Sequence, residues 1–248
     1  MRLRWIGLVV LLLAVSLNVS AQRRRAVRSP AKAVTPGGNC VTFGAPRVGM
    51  KASYLTTSPS GNVTYTVTYV SESATEARTT QKVQTPQANA DVETRMDFET
   101  VHTSFDLRAL KHLYVKSTTS AAGFPFSVET DIDFVPSMIL GPTTGWCQGA
   151  TWTVPATTET ITVKSIAGPQ ISTQTTIAFD AEVLSVNETI TTPAGTFRCV
   201  KARGYQISGT TAAPTISWNS VEHYITVRQE TLDANGAVSQ VTELQKIE

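Results

Sequence analysis

The chain is poor in charge and in the residues that build catalytic and metal sites. Only 16% of its 248 residues are charged, and it contains three histidines and three cysteines. It has no Cys-x-x-Cys pair, no Gly-x-Ser-x-Gly or His-Glu-x-x-His motif, no P-loop and no Rossmann glycine pattern. We therefore predict no catalytic residues, no metal site and no cofactor. A secreted enzyme of unknown class is the weaker alternative.

Long apolar runs are confined to the N-terminus, since no internal stretch reaches the ~18 apolar residues of a membrane-spanning helix. A basic start at residues 1–4 precedes an apolar core at 5–19, and Val19 and Ala21 place suitable residues at −3 and −1. This pattern predicts a signal peptide over 1–21, cleaved after Ala21, with export to the periplasm or the extracellular space. Five positive charges within residues 23–32 favour the alternative, an uncleaved anchor.

The positive charges lie mostly outside the predicted domain. Without residues 1–21 the chain has 19 basic and 19 acidic residues, and five of the basic ones lie in 23–32. From residue 33 onward the chain has 14 basic and 19 acidic residues. This negative balance excludes a basic nucleic-acid-binding face. Residues 22–38 show no apolar periodicity. We therefore predict that they form a disordered basic leader, either a solvated linker or an arm that touches anionic surfaces.

The rest of the chain is rich in threonine and alternates between apolar and polar residues, which is typical of strands. The only short helical or turn candidate is Ser104–Leu110. Strands are predicted near 49–57, 62–73, 76–85, 90–102, 111–121, 124–135, 150–163, 170–179, 182–191, 196–208, 215–219, 222–232 and 237–247. These predict an all-β, antiparallel, curved sheet that forms a sandwich or an open or half barrel. Residues 39–248 would be one domain, with halves dividing near 136–149.

The alternation is cleanest from Phe124 to Phe134. Apolar residues occupy one face there, and Glu129, Asp131 and Asp133 occupy the other. Three carboxylates at this spacing could bind Ca²⁺ or a basic partner. We favour a solvated outer face, because no EF-hand loop accompanies them.

Three cysteines in an exported chain fit one disulfide and one spare thiol. Cys40 and Cys147 lie in loop-like settings, whereas Cys199 lies within a strand pattern. We predict a Cys40–Cys147 disulfide, with the other two pairings or no bridge as alternatives.

A family resemblance covers about residues 140–248. It is carried by the segment Val183–Lys201, by Gly149-Ala150-Thr151-Trp152, by Trp218 and by Glu243-Leu244. These residues resemble the TapB-like family of exported bacterial domains of unknown function. The resemblance implies an antiparallel, curved β fold and an envelope location, and it transfers no catalytic residues.

The segment 183–201 also predicts a hairpin. A three-residue loop at 193–195 would pair Thr192 with Thr196, because proline and glycine suit such a turn. Glu188 and Arg198 would then be diagonal neighbours on one face and form an ion pair.

Large aromatic residues cluster around the same segment. Trp152, Phe197, Trp218 and Tyr224 could line an apolar groove on a curved sheet that has little helix to cover it, or they could simply fill the core. We predict an exported, non-catalytic envelope domain that binds an apolar small molecule or an envelope protein partner.

Overall fold

The computed structural model describes residues 39–85, 88–102, 106–121, 124–143, 145–165, 168–206, 214–233 and 235–248. The predicted signal peptide and basic leader lie outside these residues. Within them, no helix is long and apolar enough to cross a membrane. The strands are β1 (Cys40–Val41), β2 (Lys51–Ser58), β3 (Gly61–Glu72), β4 (Glu76–Gln84), β5 (Asn89–His102), β6 (Asp106–Ala121), β7 (Phe124–Pro142), β8 (Trp146–Cys147), β9 (Thr151–Ser165), β10 (Ile171–Thr192), β11 (Gly195–Gln206), β12 (Thr215–Ser220), β13 (Thr226–Leu232) and β14 (Val238–Ile247).

Twelve of these strands form one closed antiparallel barrel. Each strand pairs with the next barrel strand along the chain, β7 pairs with β9, and β14 pairs with β2. The prediction of an all-β, antiparallel sheet is confirmed, whereas the sandwich and the open or half barrel are wrong. The barrel closes because Val241 pairs with Thr57 and Ile247 with Ala52, so neither terminal strand remains an unpaired edge.

Several strands are longer than predicted. The turn candidate at 104–110 falls largely within β6, β7 covers the first half of the predicted divide at 136–149, and residues 171–192 form one strand rather than two. The ladder between β9 and β10 contains a register shift between Ile177 and Phe179, next to the predicted break. A bulge of this kind interrupts the alternation in sequence while the strand continues.

The acidic residues of β7 lie outside the barrel, as predicted. Val128, Ile132 and Phe134 are buried. Glu129 forms an ion pair with Lys116 and Asp131 with Lys164 on the outer face. No group of three potential metal ligands occurs among the described residues.

A short segment before β2 packs against the barrel core through Val41 and Phe43, and we call residues 39–50 the plug. Its strand β1 pairs with β8, and Cys40 lies opposite Cys147 in that pair. The two cysteines form a disulfide, which confirms the predicted pairing. Further along the plug, the amide of Gly44 donates to the carbonyl of Val221 at 2.8 Å. A Cβ at Gly44 would overlap the carbonyl of Glu222, so this close approach requires glycine.

Candidate ligand-binding site

The barrel interior contains an unfilled cavity of about 330 Å³, which we call the tyrosine cavity. It is lined by Tyr54, Val63, Tyr65, Val67, Tyr69, Thr79, Gln81, Val83, Met96, Tyr224, Ile225, Thr226, Gln229 and Thr242. None of these side chains is an acid, a lysine, an arginine or a histidine. The wall therefore offers apolar faces together with uncharged hydroxyl and amide groups.

Three tyrosines dominate this wall. The rings of Tyr54 and Tyr65 stack with centroids 5.1 Å apart. The side chains of Tyr54 and Tyr69 lie near each other, and that of Tyr65 lies near Thr56. Burial raises the pKa of Tyr65 and of Tyr69 to about 12 and also raises the pKa of Tyr54. All three side chains are therefore neutral at physiological pH.

The cavity extends along β3. Val63, Tyr65, Val67 and Tyr69 alternate along that strand and all line the cavity. Six residues of strand separate the first from the last, a distance of roughly 20 Å at the usual rise per residue. A volume of about 330 Å³ is within the range of small-molecule sites.

A second cavity of about 360 Å³, the outer cavity, lies beside the plug. Arg108 is its most polar feature: Nη1 donates to Glu72 at 2.8 Å and Nη2 donates to the carbonyl of Ser73 at 3.2 Å. The guanidinium lies 3.7 Å from the ring centroid of Phe98. Asp106 also lines this cavity, so the positive charge of Arg108 is balanced by neighbouring carboxylates.

Tyr224 lines both cavities. Its ring lies against Phe43 of the plug, with centroids 4.4 Å apart, and Phe43 contacts Trp146 edge-on at 5.3 Å. The φ of Tyr224 is 48°, and among the described residues no other non-glycine residue has a positive φ. This backbone conformation is costly for a residue with a Cβ and often accompanies a functional constraint.

The four aromatic residues of the predicted groove do not meet in one cavity. Trp152 is buried in one core cluster, where its ring contacts Trp146 at 5.2 Å. Trp218 is buried in a second cluster, and Phe197 packs against that cluster. Of the four, only Tyr224 lines either of the two cavities described above.

Sequence reasoning missed the tyrosines of β3. The run Thr64-Tyr65-Thr66-Val67-Thr68-Tyr69 was interpreted only as a strand, although its period of two already places both tyrosines and Val67 on one face. The run by itself cannot show that this face lines a cavity.

The hairpin between β10 and β11 differs from its predicted register. Thr191 pairs with Thr196 and Thr192 with Gly195, so the loop consists of the two residues 193–194 rather than three. The predicted pairing of Thr192 with Thr196 is wrong. Gly195 has a φ of 131° but already belongs to the β11 ladder, so the glycine extends the strand instead of closing the loop.

The predicted ion pair between Glu188 and Arg198 does not form, because Glu188 lies opposite Cys199 and neighbouring residues of a strand face opposite sides. Glu188 instead accepts a hydrogen bond of 2.6 Å from the indole of Trp218 and forms an ion pair of 3.4 Å with Lys201. Burial raises the pKa of the free Cys199 thiol to about 12, which leaves it unreactive.

The sequence model of the DUF3108-like family matches residues 47–244. A search of curated proteins gives no match. Two solved structures are similar: a Bacteroides fragilis protein described as exported with a YmcC-like fold, and a Parabacteroides distasonis protein described as a lipoprotein. Each is 12% identical to this chain with a TM-score of 0.39, and the alignments cover 84% and 85% of this chain and 100% of each solved chain. The narrower TapB-like assignment stays a prediction.

Proposed function

Because this chain belongs to the DUF3108-like family, whose name specifies no activity, we propose a function from the barrel interior. The protein is an exported, non-catalytic β-barrel that binds one uncharged small molecule in the tyrosine cavity. The observation that carries this proposal is the unfilled, uncharged space inside a barrel that also contains two packed apolar clusters.

Export is supported by the signal-like pattern at residues 1–21 and by the Cys40–Cys147 disulfide, which is typical of an oxidising compartment. The family resemblance to TapB-like proteins favours an envelope location. An envelope protein partner stays an alternative to a small molecule.

The absence of charge from the cavity wall defines the ligand. A charged group that entered would lose its hydration without gaining an ion pair, which is costly. An uncharged molecule with an apolar face would gain from burial against Val67 and the tyrosine rings, and its polar atoms could pair with Gln81 or Gln229. The sequence-based prediction of a purely apolar ligand is therefore modified to an uncharged ligand with some polar atoms.

Two dyes that differ by one charge test the proposal. N-phenyl-1-naphthylamine is uncharged, and 8-anilinonaphthalene-1-sulfonate adds a sulfonate to the same rings. We expect the purified protein to enhance the fluorescence of the neutral dye saturably, at one site, and to bind the anionic dye at least about tenfold more weakly.

A pair of variants on β3 locates the binding. Val67→Phe fills the cavity and should abolish saturable binding of the neutral dye, whereas Thr64→Phe, on the exposed face, should leave it unchanged. Equal binding of both dyes, or unaltered binding by folded Val67→Phe, would contradict the proposal.

A further inference from the structure

Tyr224 is the boundary between two cavities. Because its side chain lines both the tyrosine cavity and the outer cavity, movement of this one ring would join them. The combined space would lead from the cavity along β3 past Tyr224 to the plug.

Tyr224 is held in place by the turn that carries it, where its backbone φ is positive, and by the plug, which contacts its ring. The amide of Tyr224 donates to the carbonyl of Ser220 at 2.9 Å, within a turn that places φ at 48°. On the other side the ring rests on Phe43, and the next plug residue, Gly44, is hydrogen-bonded to Val221 of the same turn. The plug therefore packs directly against the turn that presents Tyr224.

The opposite end of the tyrosine cavity is packed with apolar side chains. Val83, Ala90 and Val92 form a buried cluster there, and Val63 and Tyr65 pack against it. Val63 is six residues along β3 from Tyr69, which pairs with Met50 of the plug through its backbone. Of the two ends, the one at Tyr224 is therefore the end that adjoins another cavity.

We infer that the outer cavity is the vestibule through which the ligand reaches the tyrosine cavity, and that the Tyr224 side chain is the gate between the two cavities. The inference rests on the proposed function and adds the route to the site and the residue that controls it. The ligand is an uncharged small molecule.

The vestibule suits the same class of ligand. Glu72 already pairs with Arg108, and Asp106 adds a negative charge, so an anionic group gains no free cation there. A guanidinium has five N–H donors, and its contacts to Glu72 and Ser73 use two of them. A carbonyl, ether or hydroxyl oxygen passing through the vestibule could accept a hydrogen bond from those that remain.

Stopped-flow binding of N-phenyl-1-naphthylamine tests the route. Tyr224→Gly removes the ring, and glycine tolerates the positive φ without strain. We expect its association rate to rise by about tenfold, as for removal of a gate, and its dissociation rate to rise by at least as much, because the ring also lines the tyrosine cavity. Ala45→Trp narrows the vestibule and should slow both rates with little change in affinity. Val48→Trp, on the same plug segment at a position 73% exposed, is the matched control and should change neither rate.

The outcomes separate the inference from the proposed function. If the wild-type protein does not bind the neutral dye, the proposed function fails. If it binds the dye but Tyr224→Gly and Ala45→Trp, both folded by circular dichroism, keep wild-type rates, the ligand enters elsewhere and the inference is wrong. Because the two variants act in opposite directions, a folding defect in one leaves the other as a test.

Discussion

Loss of the Cys40–Cys147 disulfide should lower the stability of the whole barrel. The bond joins residues 107 positions apart. In the chain-entropy model it therefore raises the free energy of the unfolded chain by about 4.7 kcal/mol, because it reduces the entropy of that chain. Cys40→Ser/Cys147→Ser removes this restriction. Cys40 is exposed and Cys147 half-buried, so the serine side chains themselves add little cost. We expect the free energy of unfolding to fall by about 4 kcal/mol and the Tm by about 8–16 °C.

The assay is urea denaturation of the oxidised wild type, the reduced wild type and the double variant, with thermal unfolding in parallel. The reduced wild type should match the double variant, which separates loss of the bond from loss of the side chains. A second readout is protease cleavage within the plug. If the midpoint is unchanged but cleavage in the plug accelerates, the plug detaches locally while the barrel persists, and the reasoning from global chain entropy is wrong.

Three further changes have expected outcomes. Burial raises the pKa of Glu159, which is only 5% exposed. The contribution of this carboxyl group to stability therefore falls as pH rises from the ordinary carboxyl range through the raised pKa. In urea denaturation, Glu159→Gln should be more stable than wild type at pH 8, and the difference should shrink toward pH 4. Glu188→Ala leaves the buried indole N–H of Trp218 unpaired and should cost about 1.5–3 kcal/mol, by the same method with tryptophan fluorescence. Gly44→Ala forces a Cβ against the Glu222 carbonyl and should destabilise the protein by about 1–3 kcal/mol, because the Cβ is fixed to the plug backbone and the carbonyl belongs to the backbone of the turn.

One exposed position serves as a control for these changes. The Glu222 side chain is 76% exposed, so Glu222→Ala should alter stability by less than about 0.5 kcal/mol. Wild-type stability of Glu188→Ala would show that the indole contact adds nothing, and a lower stability of Glu159→Gln at pH 8 would show that the carboxylate has a favourable partner. Tolerance of Gly44→Ala would mean that the plug can shift away from the turn at Glu222.

Local features of the structure could be predicted from the sequence. The alternation from Phe124 to Phe134 is a property of consecutive residues, because neighbouring side chains of a strand point to opposite faces. It therefore gave the inner and outer faces of β7 correctly, including the outward Glu129 and Asp131. Loop-like surroundings likewise distinguished Cys40 and Cys147 from Cys199.

The hairpin at residues 188–199 marks the limit of local reasoning. The sequence pattern predicts the position of the loop correctly. The predicted pairing of β10 with β11 is shifted by one residue, because it places Gly195 in the turn instead of in β11. A register error of one residue changes which side chains share a face. Glu188 consequently meets Trp218, which is 30 residues away, rather than Arg198.

The sequence by itself therefore determined the all-β character of the chain and the two faces of β7, and it favoured the correct disulfide, because these follow from a period of two and from the surroundings of single residues. Closure of the barrel depends on pairs such as Thr56 and Thr242, whose hydroxyls lie 2.8 Å apart although 186 positions separate the residues. The tyrosine cavity depends in turn on that closure, because an interior space exists only where strands from both ends of the chain face each other. Long-range pairing and the volume left between side chains have no local period, and only the tertiary structure decided them.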